Sequence, residues 1–520
     1  MSLFSKPSSA HEMSHRRQWA ALVLLMLPVL LISVDNTVLS FALPIITEEL
    51  LPSATMQLWI ADIYALVLAA LLVTMGSLSD RFGRRRVLII GAVGFAVVSA
   101  AAAFSTSPTQ LVIARAALGV FGAMLMPSTL SLLRNIFVDP MRRRTAIAIW
   151  ATGFAAGSSL GPIVGGALLE HFHWGSVFFI AVPILMPLVL LYRFLLPESR
   201  DPHPGPVDVA SVALSMVGMF LVVWSIKTLA HDGVTVLPIG AGVAGAGIIV
   251  WFVRRQLRMD TPLLDVRLFK RMPFTASVLA NFLSVVSLIA FIFFVSQHLQ
   301  LVLGLSPMRA GLVLLPGAIL SAIAGIGVVR LSRRFTPRWL MVVGLCVIAV
   351  GFVTVFVFRG DFTVAAILLA FGFIEIGVGM SQTLSNDTII GSVPAEKAGA
   401  ASAISETAYE LGAVLGTAVL GTMITAFYRA NVTVPSGLTP GQSSAAGETI
   451  SGAAAVAQEV PAVVAEELMG SARQAFDSGI GWLSISCVVL SLGAAAIVVM
   501  GFSKRHAPSE QESAPMRVSE

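Results

Sequence analysis

Residues 55–106 read TMQLWIADIYALVLAALLVTMGSLSDRFGRRRVLIIGAVGFAVVSAAAAFST. Two apolar runs flank the short loop GSLSDRFGRRR (76–86), which carries Arg81, Arg84, Arg85 and Arg86. A helix rising about 1.5 Å per residue needs about 20 residues to cross roughly 30 Å of hydrocarbon, and each run is long enough. Lipid offers no partner for backbone N–H and C=O groups, so such runs must be helices. Similar runs fall near 19–40, 55–78, 87–106, 111–133, 145–168, 175–196, 207–229, 235–253, 274–297, 309–329, 339–358, 362–384, 402–426 and 480–502. The pattern predicts an all-α membrane protein with fourteen spans. The first run is expected to be a retained helix, because no small-residue cleavage site follows it.

The basic residues test that count. If the N-terminus is cytoplasmic, most of the 33 Lys and Arg residues fall in cytoplasmic segments: 81–86, 134–144, 193–200, 254–271, 330–338, Lys397 and the two tails. Shifting the register by one helix destroys the alternation. Both termini are therefore expected inside a bacterial plasma (inner) membrane. The chain is 56% hydrophobic and only 12% charged, against about 25% charged for soluble domains. Soluble folds are excluded on that ground. The net charge of +5 is spread over short loops, which argues against a nucleic-acid partner. Cys346 and Cys487 each lie inside an apolar run, which suggests neither a disulfide framework nor a metal site.

The punctuation divides the chain as 6+2+6. A cytoplasmic tail (1–18) precedes a six-helix bundle (19–200). Two inserted helices and a basic linker (201–273) follow, the linker lying along anionic lipid headgroups. A second six-helix bundle (274–502) includes a long extracytoplasmic loop (427–479), and a tail (503–520) ends the chain. GSLSDRFGRRR has a degraded counterpart in VVRLSRRFTPR (328–338), at the equivalent place in the second bundle. Duplicated bundles are a common transporter plan, with the substrate site at their interface near mid-membrane. The Ala-rich part of loop 427–479 is interrupted by Glu459, Pro461, Glu466 and Glu467, so a surface helix or helical hairpin is expected there.

Ionisable groups within spans are expensive and mark functional candidates. These are Asp35 in LLISVDNTVLSFALP, Asp62 in WIADIYAL, Arg115 in LVIARAALG, Glu375 in AFGFIEIGVGMSQ, and Glu406 and Glu410 in AISETAYELGAVLG. Glu406 and Glu410, four apart, share a helix face. Two adjacent carboxylates in low dielectric do not comfortably both carry charge, so the pair is a candidate proton carrier. Alternatively, the two brace neighbouring helices through Thr, Ser or Tyr409. Asp35 either faces a central cavity or bonds another helix, and Glu375 either does the same or pairs across the bundle. Arg115 needs an acid or carbonyl oxygens; it either tunes an acid or locks two helices. Phe41, Trp59, Tyr64, Phe154 and Tyr409 could offer ring faces to a cation.

The fifth run contains GFAAGSSLGPIVGGALL, with Gly153, Gly157, Gly161, Pro162, Gly165 and Gly166. Small residues four apart permit close helix approach, and proline bends a helix. This stretch is either a sliding seam or plain tight packing. In GSLSDRFGRRR, Gly76 permits crowding, Gly83 a turn, and Asp80 a contact with an arginine or a helix N-terminus. That is either a conformational latch or a topology signal alone.

These residues resemble the major facilitator superfamily, in particular its fourteen-helix drug:proton antiporter branch of quaternary-ammonium and multidrug exporters, including the actinobacterial efflux pumps linked with ethidium and fluoroquinolones. The first-helix signature is similar at Asp35, Thr37, Ala42, Leu43 and Pro44, with Ser40 in place of the usual Asn. The loop motif is similar at Gly76, Asp80, Arg81, Gly83, Arg84 and Arg85, and the fourth-helix motif at Arg115 and Gly119, with Leu118 in place of a frequent Gln. The antiporter motif is similar at Gly157, Gly161, Pro162, Gly165 and Gly166, and the sixth-helix pattern at Trp174 and Pro183. The resemblance implies a major-facilitator-type fold and export of lipophilic cations by proton antiport. It implies that Arg115 assists coupling and that acids of the first and thirteenth helices engage protons and cations. The expected partners are those cations, protons and membrane lipids, for a monomer without cofactor. Rival readings are export of one endogenous metabolite, lipid or amino acid, and a non-transporting sensor or lipid scramblase. An ATP-driven pump is disfavoured because no GxxxxGK[ST] sequence occurs.

Overall fold

The computed structural model describes residues 13–502 apart from 51, 53, 201–207, 233–234, 260–261, 263, 306, 361, 395–396 and 417–420. Its helices are α1 (His15–Leu50), α2 (Ala54–Phe82), α3 (Arg84–Ala102), α4 (Pro108–Ile136), α5 (Pro140–His171), α6 (Ser176–Phe179), α7 (Ala181–Leu195), α8 (Val209–Asp232) and α9 (Val236–Arg258). They continue with α10 (Met272–Gln297), α11 (Pro307–Leu331), α12 (Pro337–Phe358), α13 (Val364–Gly391), α14 (Ala398–Leu415), α15 (Gly421–Asn431), α16 (Pro440–Glu448), α17 (Ile450–Ala457) and α18 (Ala462–Gly501). No strand occurs among the described residues.

Twelve spans in the described residues are long and apolar enough to cross a membrane, two fewer than the fourteen expected. The expected runs without such a span, 145–168 and 402–426, still fall on helix among the described residues. The run at 145–168 lies in the 32-residue α5, and the run at 402–426 falls on α14 and α15. The fold is an all-α, multi-pass membrane architecture.

Apolar side chains of α1–α7 form one large core around Leu25, Leu118, Leu132 and Trp150. A second core gathers Phe291, Phe294, Phe352 and Ile374 from α10, α12 and α13 with Ile480 and Leu483 of α18. Helices α8 and α9 pack on each other, and α8 also packs on α2 and α14. Between the two cores, α5 lies against α11 and α13, and α14 lies against α2 and α4. Polar side chains of α2, α4, α13 and α14 therefore lie on helices that meet at the junction.

The last helix departs from the sequence boundary. It begins at Ala462, not near 480, and runs for 40 residues, about 60 Å. Hydropathy marks where a helix leaves lipid, not where it ends, and the Ala- and Glu-rich stretch favours helix. Tyr428 donates to the Ala446 carbonyl at 2.7 Å, and Ala446, Ile450, Ala453 and Val456 join the second core. The long loop is thus a packed helical cap, in line with the surface helices expected there.

Candidate transport site and its latch

Arg115 is 1% exposed, near the start of α4. Its Nη1 donates to Asp35 Oδ2 of α1 at 2.7 Å and its Nε to the Ile60 carbonyl of α2 at 3.3 Å. Its guanidinium lies 4.7 Å from the centre of the Tyr64 ring. A buried guanidinium needs a counter-charge and filled donor sites, and α1 and α2 supply them. Asp35 is correspondingly an ion-paired acid in this conformer.

The opposite wall is α14. Glu406 is 4% exposed and Glu410 is half-buried, one turn further on. Tyr409, between them, packs its ring 4.9 Å from that of Phe154 on α5, which brings two aromatic candidates together across the bundle junction. Tyr409 lies within electrostatic range of Glu410, Glu406 and Glu375. Tyr64 lies within the same range of Asp35, Arg115 and Glu410. Tyr64 and Tyr409 thus share Glu410 as a charged neighbour, with Asp35 and Arg115 beside the first and Glu406 and Glu375 beside the second. Glu375 accepts a hydrogen bond from Ser321 of α11, which ties it to its own bundle. Bracing beside Glu406 falls to its neighbour Ser405, which donates to Asn386 Oδ1 and faces the Asn281 amide.

The candidate latch residues meet the second bundle at the face carrying the basic loops. Asp80, at the end of α2, accepts the backbone N–H of Gly399 and of Ala400, each at 3.0 Å. These are amides of the first turn of α14, which have no partner within their own helix, and the helix dipole favours an anion there. Arg84 donates to the same carboxylate at 2.8 Å. The approach requires glycine at 76: a Cβ there would lie 2.5 Å from Ala403 Cβ and 2.7 Å from the Gly399 carbonyl oxygen. Gly83 has φ +107°, and a Cβ there would press on the Glu198 carboxylate at 2.8 Å. Glu198 in turn accepts the Arg85 N–H at 3.1 Å. Arg85 also donates to the Leu196 carbonyl at 3.0 Å, and Arg81 lies over the Phe82 ring.

Asp387, on α13, makes a second polar contact between the bundles and was not among the sequence candidates. It takes Arg143 Nε at 2.8 Å and Arg144 Nε at 2.6 Å, both from the start of α5. Arg134 adds a bond to the Val393 carbonyl at 2.7 Å. The signal available in the sequence was a carboxylate near the end of an otherwise apolar helix, facing a run of three arginines at 142–144.

The glycine row of α5 seats α1. A Cβ at Gly157 would stand 2.5 Å from Ser33 Cβ, and one at Gly165 3.1 Å from Val38 Cγ1; one at Gly161 would overlap Thr37. Gly166 meets nothing within 4 Å and lies off this seam. The packing is within one bundle. Trp59 packs in an apolar cluster with Val223 and Val414. The side chains of Phe41, Asp62 and Pro162 lie outside the described residues.

A row of buried ionisable groups at the junction of two helical bundles, with a polar latch at one face, defines a membrane transporter rather than an enzyme. The sequence profile of the Major Facilitator Superfamily matches residues 25–417, and the chain belongs to that family. It is similar to the multidrug efflux pump LfrA of Mycolicibacterium smegmatis, with 64% identity over 488 residues, 94% of this chain and 97% of the relative. It is also similar to the methyl viologen resistance protein SmvA of Salmonella typhimurium, with 34% identity over 468 residues, 88% of this chain and 93% of the relative. Among solved structures, the human organic anion transporter MFSD10 matches with a TM-score of 0.59 at 14% identity, over 92% of this chain and 100% of that one; this likeness concerns the fold. The chain is a transporter related to multidrug efflux pumps.

Proposed function

We propose that the chain exports lipophilic cations, of the kind represented by quaternary ammonium compounds, ethidium-like dyes and fluoroquinolones, in exchange for protons across a bacterial plasma membrane. Both termini and the latch face the cytoplasm in this reading. The row Asp35–Arg115–Tyr64–Glu410–Tyr409–Glu406–Glu375 carries the proposal, because it sets acids and aromatic faces on both sides of the bundle junction. The bundles 19–200 and 274–502 rock about this row, with 201–273 as the inserted hairpin and its linker.

With the latch open, deprotonated Glu406 or Glu410 attracts a cation, which Tyr409, Tyr64 and Phe154 hold by their ring faces. Arg115 holds Asp35 in position through their ion pair until the cycle turns. Latch closure presents the row to the other side, where protonation cancels the attraction and the cation leaves. Each pH unit supplies about 1.4 kcal/mol per proton, and each 100 mV about 2.3 kcal/mol per net charge moved. One or two protons thus sustain a steep gradient. The name of LfrA, a multidrug efflux pump, agrees with export of several compounds, and that of SmvA, a methyl viologen resistance protein, with a cationic one, since methyl viologen is a dication.

The test is pH-driven ethidium transport in proteoliposomes. The combined Glu406→Gln and Glu410→Gln substitution is expected to abolish it while leaving the fold intact. Transport at the wild-type rate would remove the pair from the mechanism.

A further inference from the structure

The inserted hairpin and the linker behind it carry an arrangement that the transport cycle does not use. Helix α9 is greasy and outward-facing, with Val243 and Val250 exposed, and ends in WFVRRQLR (251–258). Trp251, Arg254 and Arg258 recur at spacings of three and four, so they share one helix face. All three are exposed, whereas Phe252 and Gln256 on the other face are buried. Tryptophan favours the headgroup level of a bilayer, and here it sits one turn before two exposed cations.

The linker returns the chain alongside this helix end. Arg267 donates to the Leu257 carbonyl at 3.3 Å, and Arg267, Lys270 and Arg271 are exposed beside exposed Phe269 and Met272. Five exposed cations, Arg254, Arg258, Arg267, Lys270 and Arg271, therefore share one patch with apolar side chains, against exposed Asp265. Arg254, Arg258 and Lys270 have no ion pair among the described residues. Arg255, by contrast, is taken up by Asp208 at 2.8 and 3.0 Å, so the structural ion pair of the hairpin is separate from the patch.

The inner side of the same segment is built into the latch region. Leu264 and Leu268 are buried with Phe252, with Phe274 of α10, and with Ala400, Ala401 and Ile404 of α14. Gln256 fixes the turn, accepting the Leu264 N–H at 3.2 Å and donating to Ser211 Oγ at 2.6 Å. Arg271 donates to the Ser392 carbonyl, just after α13, at 2.9 Å. One face of the linker thus touches the helix whose first amides Asp80 holds, and the other presents cations among greasy side chains.

We propose that residues 251–258 and 267–272 form a docking surface for the headgroups of anionic phospholipids in the cytoplasmic leaflet, seated between the end of α9 and the linker. The proposal rests on the orientation adopted under Proposed function. Charge complementarity carries the choice of occupant: five cations and a tryptophan lie at the end of a lipid-facing helix, where a phosphate with an attached acyl chain satisfies both chemistries. A free phosphate would satisfy only the first.

The test is quenching of Trp251 fluorescence, taken as the difference between wild type and Trp251→Phe, in vesicles containing brominated phosphatidylglycerol or brominated phosphatidylcholine. No substrate or proton gradient is needed, so failure here is separable from failure of the transport reading. Wild type is expected to be quenched preferentially by the anionic lipid. The triple variant Arg254→Gln/Arg258→Gln/Lys270→Gln is expected to lose that preference, with about hundredfold weaker selection. The charge-retaining Arg254→Lys/Arg258→Lys/Lys270→Arg is expected to keep it, which separates charge from folding damage. Equal quenching by both lipids overturns the proposal, as does full displacement of phosphatidylglycerol by millimolar glycerol 3-phosphate, which would mark a free-phosphate site.

Discussion

Replacing Asp80 by Asn probes the latch at its narrowest point. The carboxylate accepts Gly399 and Ala400 amides at 3.0 Å each and the Arg84 guanidinium at 2.8 Å, all nearly sealed from solvent. A hydrogen bond to a charged group contributes about 1.5–3 kcal/mol, and a carboxylate at a partly buried helix N-terminus up to about 2 kcal/mol. Asparagine keeps one acceptor oxygen, so one amide bond survives, while the other bond and the ion pair are lost and Arg84 is left buried beside a neutral group. The closed face should weaken by about 3 kcal/mol relative to the open one, roughly 150-fold in the equilibrium. Hydrogen exchange reads this directly, because the reporting amides are the ones bonded. Exchange at Gly399 and Ala400 should rise about a hundredfold in Asp80→Asn, with distant helices of the second bundle unchanged. Unaltered exchange at those two amides would refute the latch as drawn.

Other outcomes follow from the same geometry. Removing either partner of the buried Asp35–Arg115 pair should cost about 3–5 kcal/mol; thermal unfolding should show Asp35→Leu/Arg115→Leu losing clearly less than the sum of the single variants. Gly161→Ala, which would overlap Thr37, should lower stability by about 1–3 kcal/mol, while Gly166→Ala, with nothing within 4 Å, should be near neutral in the same assay. Asp208, outside the spans, is held down at about 2 by hydrogen bonds from Arg255 and Ser211. Its folded form binds a proton less readily than its unfolded form, so its stabilisation is present above about pH 4 and fades as pH falls towards 2. The melting-temperature gap between wild type and Asp208→Asn should accordingly be largest at neutral pH and close on acidification.

Much of the fold was legible because membrane insertion writes itself into the sequence as length and charge alternation. Every expected apolar run carries helix, and the basic loops gather at one face. The start of α18 was not legible from hydropathy, since Ala462–Asp477 is helical without being greasy. Within the site, Asp35, Arg115, Glu406 and Glu410 stood out as polar groups in apolar surroundings, but their pairing did not. Asp35 and Arg115 are 80 residues apart, and nothing local in either helix specifies the other. Asp387 was harder still. It lies among Ser385, Asn386 and Thr388, where polarity reads as an ordinary helix end, and its partners Arg143 and Arg144 stand 244 and 243 residues away. The glycine row of α5 was visible as close packing, yet only the fold assigns it to α1 and removes it from the bundle junction.

The most direct measurement is the number of protons released when an ethidium-like cation binds the purified protein at weakly buffered neutral pH. Carboxylates that give up a proton to receive a cation predict close to one proton or more per bound cation in wild type, and none in the combined Glu406→Gln and Glu410→Gln variant. Saturating binding by wild type with no proton released would contradict the exchange at its source.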